Sequence, residues 1–161
     1  CLVGSEMCIE TGCAESFRQT IVIPGNHELY KSFDINDLHE GWQLEIRPNV
    51  KACYNGVIPL APDIHLIAST LWAMIHPWDE YQTERGVTDF HRIRNGQFRL
   101  SAQRFNQEHE RCREFIERSV VESKARHIIV ATTMCHRLNL CQMSSRGVRL
   151  TELSHLNSAT S

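Results

Sequence analysis

Three short stretches of this chain carry side chains that could bind a metal ion or a phosphate and move a proton. The first is Asn26-His27-Glu28, which follows the apolar run Ile21-Val22-Ile23 and the stop Pro24-Gly25. An Asn amide oxygen is a neutral ligand for a hard divalent cation, and an adjacent imidazole can protonate a leaving oxygen. The second is Asp89-Phe90-His91, with Arg92 and Arg94 close behind. It spells Asp-x-His, yet it lies in a stretch from Ala73 to Gln97 without sustained periodicity. A long aperiodic connection inside a compact domain favours a lid over a strand-borne metal motif, so Asp89 and His91 are read as substrate-binding candidates. The third is Cys135-His136-Arg137, where His136 is a candidate metal ligand and Arg137 could hold an anion through two parallel N–H donors.

Each cluster also has a plainer reading. Gly25-Asn26-His27 could be only a turn, with Gly supplying a positive backbone dihedral and Asn bonding its own backbone. Cys135, His136 and Cys141 could form a structural zinc site, although neither Cys8/Cys13 nor Cys135/Cys141 has the Cys-x-x-Cys spacing of a zinc knuckle.

The elements that must position these residues are legible from periodicity. Ile21 to Ile23 reads as a buried strand stopped by Pro24. Val50–Tyr54 and Gly56–Leu60 read as short strands or a hairpin, and the run from Ile64 to Trp72 as a second buried strand. From Ser101, a plausible N-cap, to about Lys124 the residues Phe105, His109, Cys112, Ile116 and Val120 recur at helical spacing as a core face. The other face, with Arg104, Glu108, Glu110, Arg111, Arg113, Glu114, Glu117 and Arg118, reads as solvated and ion-paired. His127 to Thr132 is a third buried strand. Strands alternating with a helix imply an α/β fold, a mixed sheet layered with flanking helices, whose ligands bind beyond the strands' carboxyl ends. Residues 1–141 are expected to form one domain, and 142–161 a Ser/Thr-rich tail that packs poorly.

Composition narrows the classes. The chain has 161 residues, a formal net charge of -2, 42% hydrophobic and 22% charged residues, which excludes disordered and collagenous sequences. Near-neutral charge argues against nucleic acid as partner, and no apolar run approaches the ~18 residues of a membrane span. Of the 17 basic residues 14 are Arg, a planar bidentate donor suited to carboxylate or phosphate. Seven cysteines cannot all pair within one chain, which points to a reducing, cytoplasmic setting.

The stretch from Ile21 to Tyr30 resembles the Gly-Asn-His-Glu motif of calcineurin-like metallophosphoesterases, including the strand before it. Later segments resemble a bacterial branch of that family in the same order: Ala68-Ser69-Thr70-Leu71-Trp72, then Asp89-Phe90-His91-Arg92-Ile93-Arg94, then the helix and Ile128-Ile129-Val130. The resemblance implies a phosphoester substrate and divalent metal ions (Mn, Fe or Zn) that activate a water for in-line attack on phosphorus. It implies Asn26 as a metal ligand, His27 as the group that contacts phosphate and protonates the leaving oxygen, and Glu28 as a buttress of the turn. Trp72, Trp78, Asp89 and His91 would lie near the site mouth.

The chain also departs from the family pattern. No Asp-x-His precedes residue 20, Ser5 stands where the bridging Asp is expected, Thr132-Thr133-Met134 replaces a His after the last strand, and the closing Gly-His-x-His is absent. Only Asn26 matches the ligand set by position, so an ordinary dinuclear centre is not expected from this chain alone. The alternative reading is a non-catalytic remnant of the fold that binds a partner or a phosphorylated ligand. Missing strands would also leave sheet edges open, and a homo-oligomer that covers them is expected.

Overall fold

The computed structural model describes residues 12, 14–30 and 33–133. Ser5, Cys135, His136, Arg137, Cys141 and the tail from 142 to 161 lie outside the described residues.

The short strand β1 (Thr20–Val22) ends where Pro24, which has no amide hydrogen, removes a ladder donor. Two further strands follow, β2 (Trp42–Arg47) and β3 (Val50–Tyr54). β3 is central: β1 lies parallel to it, from Thr20 opposite Val50 to Val22 opposite Ala52, and β2 antiparallel to it. β2 is absent from the sequence reading, although its Trp-Gln-Leu-Glu-Ile-Arg alternation carries the period of a half-buried strand.

The chain passes from β3 to β4 (Gly56–Ala61) through Asn55 alone. Asn55 has φ +45°, a conformation that Asn tolerates better than most residues. Its Oδ1 accepts a 2.6 Å hydrogen bond from Ser69 Oγ at the end of β5 (Ile64–Ser69). β5 is central in the second sheet, antiparallel to β4 and parallel to β8 (His127–Thr132), from Ile64 opposite His127 to Ser69 opposite Thr132. The architecture is therefore mixed α/β with two mixed three-stranded sheets. A third sheet is the small antiparallel pair β6 (Arg94–Asn95) and β7 (Phe98–Arg99).

The stretch expected as an aperiodic lid is instead folded. It contains helix α1 (Glu80–Gly86), the single turn α2 (Asp89–Arg92) and the β6–β7 hairpin. Its start is clamped by Asn106, whose side chain accepts from Ile75 N at 2.7 Å and donates to Ile75 O at 2.9 Å. Elements this brief are shorter than the window in which a helical period can be recognised.

The long helix α3 (Ala102–Glu122) starts at the expected cap, where Ser101 Oγ accepts from Arg104 N at 3.2 Å. Phe105, Cys112, Phe115 and Ile116 are buried, and Phe105 meets Trp72 edge to face at 5.2 Å. One residue on the expected solvated face is misassigned: Glu108 is fully buried. It lies three residues after Phe105 and four before Cys112, so helical geometry turns it inward. Its carboxylate is neutralised there by ion pairs to Arg104 and, at 2.7 Å, to Arg111, and it accepts from Tyr54 OH at 2.6 Å. The rest of that face pairs as expected, Arg113 with Glu110 and Glu117, while Arg118 reaches across to Glu40.

Among the described residues no helix is long and apolar enough to cross a membrane. Cys53 and Cys112 are buried and unpaired, and burial pushes the Cys53 thiol pKa up.

Removing one member of a buried ion cluster leaves its partners desolvated and unpaired. Glu108→Ala is expected to lower unfolding stability by about 3 kcal/mol in urea titrations. Glu108→Gln, which keeps an acceptor for Tyr54, should lose less.

Candidate functional site

Two threonine hydroxyls bring three strand ends together. Thr70 Oγ1, just past β5, donates to Pro24 O at 2.7 Å, just past β1. Thr133 Oγ1, just past β8, donates to Thr70 O at 3.1 Å. Next to Thr70, Leu71 is buried with φ +46°, an uncommon conformation for a branched apolar residue. The expected crevice beyond the carboxyl ends of the strands thus has a physical frame.

The loop after β1 folds tightly against this frame. Glu28 Oε2 accepts from Gly25 N at 2.6 Å, so Glu28 braces the turn through its carboxylate. A Cβ on residue 25 would stand 3.2 Å from that same oxygen, which favours glycine there. Asn26 O then accepts from Leu29 N at 3.2 Å, closing the short 3-10 turn His27–Tyr30.

Asp89 organises the side chains of this turn. Its buried carboxylate accepts from Asn26 Nδ2 with both oxygens, at 2.9 and 3.1 Å, and from Tyr30 OH at 2.5 Å. A carboxylate is an acceptor only, so it fixes which end of the Asn26 amide it meets. The nitrogen is committed to Asp89, and the oxygen, the end a cation would use, is left to face elsewhere. Tyr30 carries a pKa pushed up to about 12, by burial first and then by the hydrogen bond and negative charge of Asp89, with the Arg92 charge opposing.

His27 is exposed, with its ring 4.9 Å from that of Tyr30 and tilted 47° to it. Among the described residues its ring nitrogens make no hydrogen bond, so they are available to a ligand. His91, on the far side of α2, has Nε2 3.1 Å from Arg85 O and links α2 to α1. The structure therefore brings Asn26, His27 and Asp89 to one place, with Asp89 turned to Asn26 and Tyr30. Of the two tryptophans expected at the mouth, Trp72 is fully buried in the core, whereas Trp78 is 83% exposed and stacks on His76. Trp72 follows directly from a strand that ends in buried sequence, and its neighbour Phe105 on α3 fixes it there.

Tyr30 received no role from sequence. Tyr30 lies four residues after Asn26, a spacing that places two side chains on one face of a turn, but only the distant Asp89 gives that spacing meaning. Among the described residues there is no group of three or more His, Cys, Asp or Glu side chains placed to hold a metal ion. One amide oxygen does not hold a divalent ion against water, so the described residues alone do not make a metal site. Comparison with known proteins finds no matching family model, no matching curated protein and no matching solved structure.

Asp89→Ala removes a charged acceptor from two donors and is expected to cost about 2–3 kcal/mol in chemical denaturation. The Tyr30 contact has a distinct pH signature. Its folded pKa lies above the unfolded value of 10.0, so its stabilisation is complete below pH 10 and is lost as pH rises to about 12, because the unfolded chain ionises first. The stability difference between wild type and Tyr30→Phe, followed by urea unfolding across pH, should be flat to pH 10 and shrink above it.

Proposed function

We propose that this chain carries a calcineurin-like phosphoesterase domain and that the turn after β1 is its phosphate-handling end. The observation that carries this reading is the pairing of a carboxamide oriented by a buried carboxylate with an adjacent exposed imidazole, at the point where three strand ends meet. The metallophosphoesterase-like fold and the cytoplasmic setting belong to the same proposal. The order of the matching segments supports the former, and the free, buried thiols of Cys53 and Cys112 support the latter.

In this reading His27, as imidazolium, donates a hydrogen bond to a phosphoryl oxygen of the bound ester. As water adds to phosphorus and the bond to the leaving oxygen breaks, the His27 proton passes to that oxygen so the alcohol leaves neutral, the attacking water's proton passes to solvent, and His27 regains a proton from solvent. Asn26 presents its amide oxygen in one orientation because Asp89 and Tyr30 prevent the flip. A divalent ion such as Mn, Fe or Zn, which the resemblance implies, would need ligands beyond Asn26. His136 and Arg137, the expected ligand and anion clamp, lie outside the described residues.

Hydrolysis of an aryl phosphomonoester and an aryl phosphodiester in added manganese tests the proposal. Turnover above buffer that falls about 10²–10⁴-fold in His27→Ala, with unfolding stability retained because His27 is exposed, is the expected result. Absence of turnover with retained phosphate binding would replace catalysis by the binding-module reading.

A further inference from the structure

Seven of the described arginines form two contrasting groups. On α3, Arg104, Arg111, Arg113 and Arg118 are each ion-paired to a glutamate. Arg92, Arg94 and Arg99 are all exposed, and among the described residues none has a carboxylate within ion-pair distance.

These three are also held together. Arg94 and Arg99 are directly opposite each other in the β6–β7 ladder. Leu100 N donates to Ile93 O at 3.1 Å, so residues 93 and 100 form a hydrogen-bonded pair. By alternation 94 and 99 form the non-hydrogen-bonded kind, whose Cα atoms approach to about 4.5 Å and whose side chains stand closest. The hairpin that sets this register turns at Gly96, φ +64°, the glycine-favouring first position of a two-residue loop. Arg99 Nη1 lies 3.4 Å from Arg92 O, which ties the Arg99 side chain to the backbone of Arg92. Like charges directly opposite in a ladder destabilise it, so a bound anion that pairs with both guanidiniums would relieve that repulsion. Two acids border the hairpin without ion-pairing to these arginines: Asp34, whose backbone bridges Arg94, accepts from Gly96 N at 2.7 Å and from Asn36, and Asp89 accepts from Asn26 and Tyr30.

The cluster adjoins the candidate site. Arg92 ends the single turn α2 that Asp89 begins, about 4.5 Å of helix rise away. Its charge is felt at the Tyr30 hydroxyl.

We propose that Arg92, Arg94 and Arg99 form a subsite for a second phosphate of the substrate, so that the ligand is a small molecule bearing two neighbouring phosphoryl groups, such as a pyrophosphate or nucleoside diphosphate. A nucleic-acid backbone offers the same chemistry, but one hairpin and three arginines on a chain of net charge -2 match a compact small-molecule polyanion better than a polymer. The proposal rests on the preceding reading only for what occupies the first phosphate position.

Calorimetric titration of the full chain with inorganic pyrophosphate, orthophosphate and a short single-stranded oligonucleotide tests it without requiring turnover. Pyrophosphate should bind about tenfold or more tighter than orthophosphate, and Arg94→Gln should abolish that preference while leaving orthophosphate binding intact. Arg94 makes no side-chain hydrogen bond among the described residues, so this substitution removes charge without removing a structural contact. Thermal melts give a second readout. Arg94→Gln should melt at or above wild type without anion, and pyrophosphate should raise only the wild-type melting temperature. Equal binding of the two anions, or a preference that survives Arg94→Gln, overturns the subsite even if aryl phosphates are hydrolysed. Tightest binding to the oligonucleotide overturns the small-molecule assignment. A pyrophosphate preference lost in Arg94→Gln, with no hydrolysis of any ester, upholds the subsite and rejects the catalytic reading.

Discussion

The buried carboxylate of Asp89 is the constraint around which the candidate site is arranged. It receives two donors from a turn more than fifty residues earlier in sequence, the amide of Asn26 and the hydroxyl of Tyr30. A buried carboxylate without such donors would be costly, because burial penalises the charged form unless hydrogen bonds repay the lost hydration. The β1 turn and α2 therefore depend on each other: one supplies the donors, the other the acceptor. The hairpin behind α2 is tied a second time to the segment after the turn, through Asp34 to Gly96 N and Asn36 to Asn95.

The threonine bridges act in the same way at the level of the backbone. Thr70 bonds the carbonyl of Pro24 and receives Thr133 on its own carbonyl, so three carboxyl ends from two sheets share one junction. Beside it, Asn55 takes a left-handed conformation and is held by Ser69. These contacts are polar and specific in direction, those of Thr70 to Pro24 and Ser69 to Asn55 are buried, and they set where the sheets meet more narrowly than apolar packing alone would.

The sequence spoke most clearly where one periodicity ran long enough to be unmistakable. α3 and its Ser101 cap, and the strands at 50–54, 56–61, 64–69 and 127–132, follow from burial patterns that need no tertiary information. The site was half legible. Asn26 and His27 stand out as residue types after a strand stop, and Asp89 stands out as an acid in an aromatic-rich stretch, but nothing local states that Asp89 faces Asn26. Glu108 shows the same limit in reverse. Its charge argued for solvent, and only Tyr54 and two arginines converging on it make an interior position tolerable. The family likeness rests on motifs in order and stands as a proposal.

The parallel pairing of β5 with β8 has a consequence for the order of assembly. The β4–β5 hairpin and α3 are built from near neighbours in sequence, whereas Ser69 must find Thr132 across a connection of more than sixty residues. Closing so long a segment carries an entropic barrier that local elements avoid, and such contacts form late. The bond from Thr133 to Thr70 can exist only after that closure, so the junction beneath Asn26 is among the last parts of the molecule to mature. Partly folded chains would carry a formed helix and hairpin but lack the Thr133–Thr70 junction, which makes that bond a report on the completed fold.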